Sequence, residues 1–336
     1  MRFRRWMTAG GCLLALAAGP AAAAPVAAAI ATKTVRADVY PRQTVRFPGG
    51  VTGQPDIEYA NLTGYRAQTL DLYRPAARGG PKPLVIWIHG GGWNRGDART
   101  SSAYADWPGV LAQLAARGFV VASVNYRLSG EARFPAQIQD VKAAIRFLRA
   151  NAVRFGIDPA RVYAWGGSAG GHLAALTATS CGVEAFAPAA STGRLTSAEA
   201  RVAKPPGESD CVQGAVVWFG VFDLADAGSV NVPGLLGCDP AACADKAAAA
   251  SPLTYVDGKD PPMVLMHGLA DEEVAPRQTQ AMAAALKAAG VPVQTLFIPK
   301  VGHGWIGADP ATTRSASLEA LQRTFDTLEG WAHAGR

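Results

Sequence analysis

Past its first two dozen residues the sequence has no apolar run long enough to cross a bilayer, which excludes a spanning helix from the body of the chain. Charge is sparse: 17% of the 336 residues are charged against 49% apolar, a balance that permits a large core and excludes extensive disorder. Histidine is scarce, with five in the chain, and none sits at metal-ligand spacing near the cysteines. No C-x-x-C occurs either, so a zinc site is not indicated. No internal repeat is visible, and no composition shift marks a second domain. The net charge is +6, and Arg2, Arg4 and Arg5 carry three of those charges. What remains is too mild to indicate a nucleic-acid partner.

What is present begins at the N-terminus. The three arginines precede a short apolar run, Gly10 to Ala18, and Ala21 to Ala24 offers small-residue cleavage sites. These are the parts of a secretory signal peptide over residues 1–24. Cys12 lies before the leucines of that run rather than after them, which disfavours a lipid anchor. The expectation is an exported protein, periplasmic or extracellular after cleavage. Residues 25–50 carry little pattern and read as a tail, followed by one domain over residues 51–333. In an oxidising compartment the remaining Cys181, Cys211, Cys238 and Cys243 suggest disulfides. Three pairings are possible, and nearness along the chain favours Cys181–Cys211 with Cys238–Cys243.

Ala67 to Tyr73 reads as an edge strand. Unbroken apolar runs follow at Leu84–Ile88, Phe119–Val124, Val162–Trp165, Ala215–Phe219, Met263–Met266 and Val293–Ile298. Continuous rather than alternating apolar runs indicate strands buried on both faces, as in a parallel sheet. Between them lie helical patterns: Pro135 followed by Ile138, Val141, Ile145 and Leu148, then Pro276 to Ala289 ending at Gly290, then Ser317 to Trp331. Strands alternating with helices predict an α/β architecture, a mostly parallel doubly wound sheet flanked by helices.

The chemistry sits between those elements. The strand Val162–Trp165 runs into Gly166-Gly167-Ser168-Ala169-Gly170, a G-x-S-x-G turn opening a helix, which is the setting of a nucleophile elbow. His89-Gly90-Gly91-Gly92-Trp93 follows the strand Leu84–Ile88 and matches neither G-x-G-x-x-G nor a P-loop. Consecutive glycines let backbone N–H groups approach a ligand, here as an oxyanion hole with the N–H of Ala169. A serine hydroxyl needs a general base. Among the histidines, His303 lies in a glycine-flanked loop just after the strand Val293–Ile298, at the end of the sheet where such folds build sites. His89 is expected to brace its loop and His172 to point into the core, while His267 ends a buried strand and His333 lies in the last helix. Asp271, after the strand Met263–Met266, is the acid; Glu272, Glu273 and Asp223 are competitors read as solvated carboxylates or caps. The order Ser168, Asp271, His303 is that of α/β-hydrolases.

With these motifs, and with Asn125-Tyr126-Arg127-Leu128, Gly171-His172 and His267-Gly268-Leu269-Ala270-Asp271, the chain resembles the HGGG-type esterases. It is most similar to the bacterial feruloyl-esterase-like (BD-FAE) branch, over roughly Asp56 to Gly330. The resemblance implies the α/β-hydrolase fold, a triad of Ser168, Asp271 and His303, and an oxyanion hole from Gly91, Gly92 and Ala169. Val274-Ala275-Pro276 departs from the Val-Pro usual after the acid, and Ser180–Asp210 looks like an insertion that could cover the site. Trp93, Tyr126 and Trp305, with Trp107, lie in or near the site loops and are expected either to stack on an aromatic or sugar-linked substrate or merely to wall the pocket. The expected function is a secreted serine carboxylesterase hydrolysing short-chain or aromatic esters, small or linked to polysaccharide. An amidase such as an arylformamidase, or a non-catalytic binding protein on the same fold, are the alternatives. No metal or cofactor, nucleic-acid partner or stable membrane insertion is implied.

Overall fold

A computed structural model describes residues 43–76, 79–193, 207–228 and 230–334. The expected signal peptide and most of the expected tail lie outside the described residues. A nine-stranded sheet in the order β1-β2-β3-β5-β4-β6-β7-β8-β9 organises the domain. Its strands are β1 (Val45–Arg46), β2 (Thr52–Ala60), β3 (Gln68–Arg74), β4 (Lys82–Ile88), β5 (Val120–Val124), β6 (Ile157–Gly167), β7 (Ala215–Trp218), β8 (Met263–Gly268) and β9 (Val293–Ile298). β1 to β3 are antiparallel, β3 pairs antiparallel with β5, and from β5 across to β9 every pairing is parallel. The helices are α1 (Trp107–Ala116), α2 (Ala136–Ala150), α3 (Ala152–Phe155), α4 (Ala169–Thr179), α5 (Val232–Leu236), α6 (Ala244–Ala250), α7 (Arg277–Ala288) and α8 (Pro310–Ala334). None is long and apolar enough to cross a membrane.

The apolar runs are unbroken because successive side chains feed two separate cores. In β4, Leu84, Ile86 and Ile88 point to the face covered by α2, α4 and α7, while Val85 and Trp87 point to the face covered by α1 and α8. β6, β7 and β8 divide in the same way, with Tyr163, Trp165, Val216, Trp218, Val264 and Met266 on the second face. Each buried large side chain contributes roughly 1.5–3 kcal/mol of transfer free energy. Indoles dominate the second core. Trp87 packs on Trp107 at 4.4 Å, on Trp165 at 4.7 Å and on Trp218 at 5.9 Å between ring centroids.

Two strand expectations are corrected. β3 is not an edge, because β2 and β1 lie outside it. The sheet also begins at Val45, inside the segment read as a tail. β2 carries Gly53, Pro55 and Asp56 and shows no apolar run, so pairing with β3 rather than its own pattern makes it a strand.

Both cysteine pairs are bonded, Cys181 to Cys211 and Cys238 to Cys243. Next to the first, buried Asp210 accepts from Lys142 Nζ at 2.7 Å and from the Arg146 guanidinium, tying the segment back onto α2. Of Ser180–Asp210, residues 194–206 lie outside the described residues. Residues before them run along the β2–β3 turn, where Gly193 N–H donates to the Asn61 carbonyl at 2.8 Å.

Two buried histidines make the domain acid-sensitive. His172 Nδ1 accepts from Trp93 Nε1–H at 3.1 Å, and its Nε2–H donates to the Ala250 carbonyl at 2.7 Å. His89 Nδ1–H donates to the Gly90 carbonyl at 2.7 Å, with its ring stacked on Tyr126. Burial lowers both rings from 6.5 to about 4. The unfolded chain therefore binds protons that the folded one refuses. Stability is whole above pH 6.5 and falls toward pH 4, by roughly 3 kcal/mol per ring. The urea midpoint should drop sharply between pH 7.5 and 4.5; a flat midpoint over that window would contradict this.

Candidate active site

Four segments at the carboxyl ends of β4, β6, β8 and β9 converge. The strand order reverses around β4, with β5 on one side and β6 on the other, and such a switch point opens a crevice in a doubly wound sheet.

Ser168 sits between β6 and α4 with φ 57° and ψ −124°, a strained conformation for a residue with a Cβ. The turn is possible because its neighbours take almost no space. A Cβ at Gly170 would stand 1.9 Å from the Ile88 carbonyl oxygen, so only glycine lets α4 start this close to β4. Ser168 N–H donates to the Trp218 carbonyl at 2.9 Å, which pins the elbow to β7. Ala169 is the first residue of α4, where backbone N–H groups have no partner within the helix.

Gly91 and Gly92 follow β4 with φ 105° and 57°. The Gly91 carbonyl accepts from the N–H groups of Asn94 and Arg95, both at 3.1 Å, curling the loop over the end of the sheet. A Cβ at Gly91 would lie 2.3 Å from the Arg95 carbonyl oxygen.

His303 leaves β9 through a turn in which Gly302 N–H donates to the Ile306 carbonyl at 2.7 Å. Its Nε2 is 2.9 Å from Ser168 Oγ, and its Nδ1 is 2.8 Å from Asp271 Oδ2. Phe219 lies edge-on against the ring at 4.7 Å. Asp271 has a fully buried carboxylate: Oδ1 accepts the N–H groups of Glu273 and Val274 at 3.0 and 2.9 Å, and Oδ2 also faces His267 Nε2 at 3.2 Å. Burial by itself would raise this carboxyl. Hydrogen bonds from His267 and His303 outweigh it and hold the group well below the usual carboxylate range. With His303 Nδ1–H donating to Asp271, Nε2 is left free to accept the Ser168 hydroxyl proton.

Of the competing acids, Asp223 caps a turn through Ala225 N–H at 2.9 Å, and Glu272 is exposed. Glu273 lines the cavity, with Oε1 4.0 Å from His303 Nε2.

A cavity of about 480 Å³ opens over Ser168 and His303. Its lining includes Gly91, Gly92, Arg95, Tyr104, Phe219 and Glu273. The aromatic residues expected there lie elsewhere. Trp93, Tyr126 and Trp305 are all 0% exposed. Trp93 turns inward to His172, Tyr126 O–H donates to the His89 carbonyl at 3.0 Å, and Trp305 packs on Phe219 at 4.9 Å. Trp107 is buried against Trp87. None of the four can stack on a substrate. Among the described residues, Trp87, Tyr104 and Phe219 are the aromatic side chains that line the cavity. The loop supplying Arg95 to Ala105 carries no periodicity or motif that marks it in the sequence.

The chain is similar to proteins known from elsewhere. Esterase LipQ of Mycobacterium tuberculosis is 32% identical over 82% of this chain and 62% of its own length. The chain spans about three fifths of the length of the curated relatives it matches. A truncated carbohydrate esterase from gut microbiota superimposes with a TM-score of 0.68 at 28% identity, covering 84% of this chain and 96% of that one. A bifunctional GH43-CE protein from Bacteroides eggerthii does so at 0.66 and 32%, covering 83% of this chain and 35% of that one. The BD-FAE family model matches residues 70–286, well over half of the sequence. By that match, and by a sheet and crevice of the α/β-hydrolase kind, the chain belongs to the BD-FAE family.

Proposed function

We propose that the protein is an exported serine carboxylesterase acting through an acyl-enzyme on short-chain or aromatic esters, with a carbohydrate hydroxyl as the favoured leaving alcohol. One observation carries the reading: Ser168, His303 and Asp271 stand in one hydrogen-bonded chain at 2.9 and 2.8 Å, facing a cavity edged by a glycine loop. His303 takes the proton as Ser168 Oγ attacks the ester carbonyl, and the N–H groups of Gly91, Gly92 and Ala169 receive the oxyanion. The carbonyl re-forms as the alcohol departs with the proton from His303, and water then repeats the sequence on the acyl-enzyme. No metal or cofactor takes part in these steps.

The cavity supports the substrate class. Arg95, Thr100 and Ser101 put polar groups in its lining that sugar hydroxyls can pair with. Arg99 is held by Asp71 and Asp56, and the Ser102 and Tyr104 hydroxyls donate to the Gly304 and Ser317 carbonyls. The similarity to carbohydrate esterases points the same way. Two cysteine pairs and the basic-then-apolar N-terminal segment support export.

The test is a panel of p-nitrophenyl acetate through palmitate, methyl ferulate, acetylated xylan and N-formylkynurenine. Short and aromatic esters should turn over, and kcat/KM on palmitate should be at least about 100-fold lower than on acetate. Cleavage confined to N-formylkynurenine would make it an amidase, and cleavage of nothing would overturn the hydrolase reading.

A further inference from the structure

We infer that His267 is a positioning residue for this reaction, holding Asp271 Oδ2 in the orientation that His303 requires. The inference rests on the reading of Ser168, His303 and Asp271 as the reacting chain.

His267 is the penultimate residue of β8 and is fully buried. It does not line the cavity, so it cannot touch a substrate. Its Nε2 meets two oxygens that can only accept, the Val274 carbonyl at 2.8 Å and Asp271 Oδ2 at 3.2 Å. Nε2 therefore carries a proton, which it donates to the Val274 carbonyl, with Asp271 Oδ2 as a second, longer contact of the same N–H. On the other side, Thr279 Oγ1 of α7 lies 2.6 Å from Nδ1, and its hydroxyl hydrogen completes the ring's bonding. A chain thus runs from α7 through Thr279, His267, Asp271 and His303 to Ser168. The four-residue spacing from His267 to Asp271 matters here. The loop between them turns back, with Asp271 N–H donating to the Gly268 carbonyl at 3.3 Å and Val274 N–H closing onto Oδ1 at 2.9 Å. His267 is the side chain inside that loop.

The consequence for Asp271 is geometric. Oδ1 is held by two backbone N–H groups and Oδ2 by two imidazoles, so the carboxylate cannot rotate about its own axis. Removing His267 leaves one imidazole on Oδ2 and, behind it, a gap in which the Val274 carbonyl and the Thr279 hydroxyl have lost their partner. The carboxylate can then tilt off the His303 Nδ1–H direction. A misplacement of about 1 Å in a reacting group can cost about 100-fold, and outer partners that orient metal ligands cost roughly 10- to 100-fold when lost.

The experiment compares His267→Leu, His267→Gln and Thr279→Val with the unaltered protein on p-nitrophenyl acetate, with thermal melts alongside. His267→Leu should lower kcat on the order of 10- to 100-fold with KM within about twofold. His267→Gln, whose amide N–H can still donate to Oδ2, should recover most of that loss. Thr279→Val, which frees the ring on its far side, should fall between. A second arm measures how fast Ser168 takes a fluorophosphonate label. In an Asp271→Asn background, adding His267→Leu should slow labelling by less than about twofold, because the group it positions is already gone. Unchanged kcat in the leucine variant, a loss expressed in KM, or an equal loss in the Asp271→Asn background would each overturn the inference. Should the leucine variant not fold, unaltered kcat in both folded variants, His267→Gln and Thr279→Val, overturns it equally. Failure of the underlying reading would look different: Ser168→Ala would keep its activity whatever stands at position 267.

Discussion

Ser168→Ala removes ester turnover by a factor on the order of 10⁴ or more, while the thermal midpoint hardly moves. The two halves of this expectation have separate causes. The hydroxyl that His303 Nε2 receives at 2.9 Å is the only part of the side chain the substitution deletes. The backbone strain at φ 57° is the same for alanine as for serine, so the elbow neither gains nor loses by the change. Ser168→Gly offers a control: it should be as inactive, yet more stable by about 1–2 kcal/mol, since glycine tolerates that conformation. Activity on p-nitrophenyl acetate and a thermal melt read both effects from one preparation. Appreciable turnover in the alanine variant would mean that Ser168 is not the nucleophile.

Asp271→Asn should lower kcat by about 10⁴ through the tautomer of His303. The argument turns on which amide atom can stand where. Oδ1 receives two backbone N–H groups, from Glu273 and Val274, so the amide oxygen must take that place. The amide nitrogen then faces His303 Nδ1, which can no longer donate. Its proton moves to Nε2, the atom that has to accept from Ser168. The base is still present, 2.9 Å from the nucleophile, but already protonated on the wrong side. Single-turnover kinetics with p-nitrophenyl acetate measure the loss directly, and a fall of less than about tenfold would show that another carboxylate orients the ring. Glu273, with Oε1 4.0 Å from Nε2, would be the one to replace next.

The parts of this molecule legible in its sequence are those governed by burial on two faces and by steric demand. Leu84–Ile88 and Val162–Trp165 announce central parallel strands because both of their faces are covered, and the glycines beside Ser168 announce a turn that a Cβ would block. β2 was not legible, since its strand character comes from hydrogen bonds to β3 and not from its own residues. The pocket misled for another reason. Trp93 follows the glycine loop directly, but φ 60° at that residue swings its ring into the core beside His172. Closeness along the chain therefore said nothing about which way the side chain faces. His267 was visible only as the end of a strand, because its contact with Asp271 depends on how the intervening loop turns back.

The indole core behind the site has an optical consequence. Trp87, Trp107, Trp165 and Trp218 sit with ring centroids 4.4 to 6.1 Å apart, close enough to share electronic excitation. Their ultraviolet absorption and emission then belong to the group rather than to separate chromophores. Trp87 is both a member of that group and part of the cavity lining. A ligand beside Ser168 should therefore lie close to this array, and a change in tryptophan emission on binding would be the signature to look for.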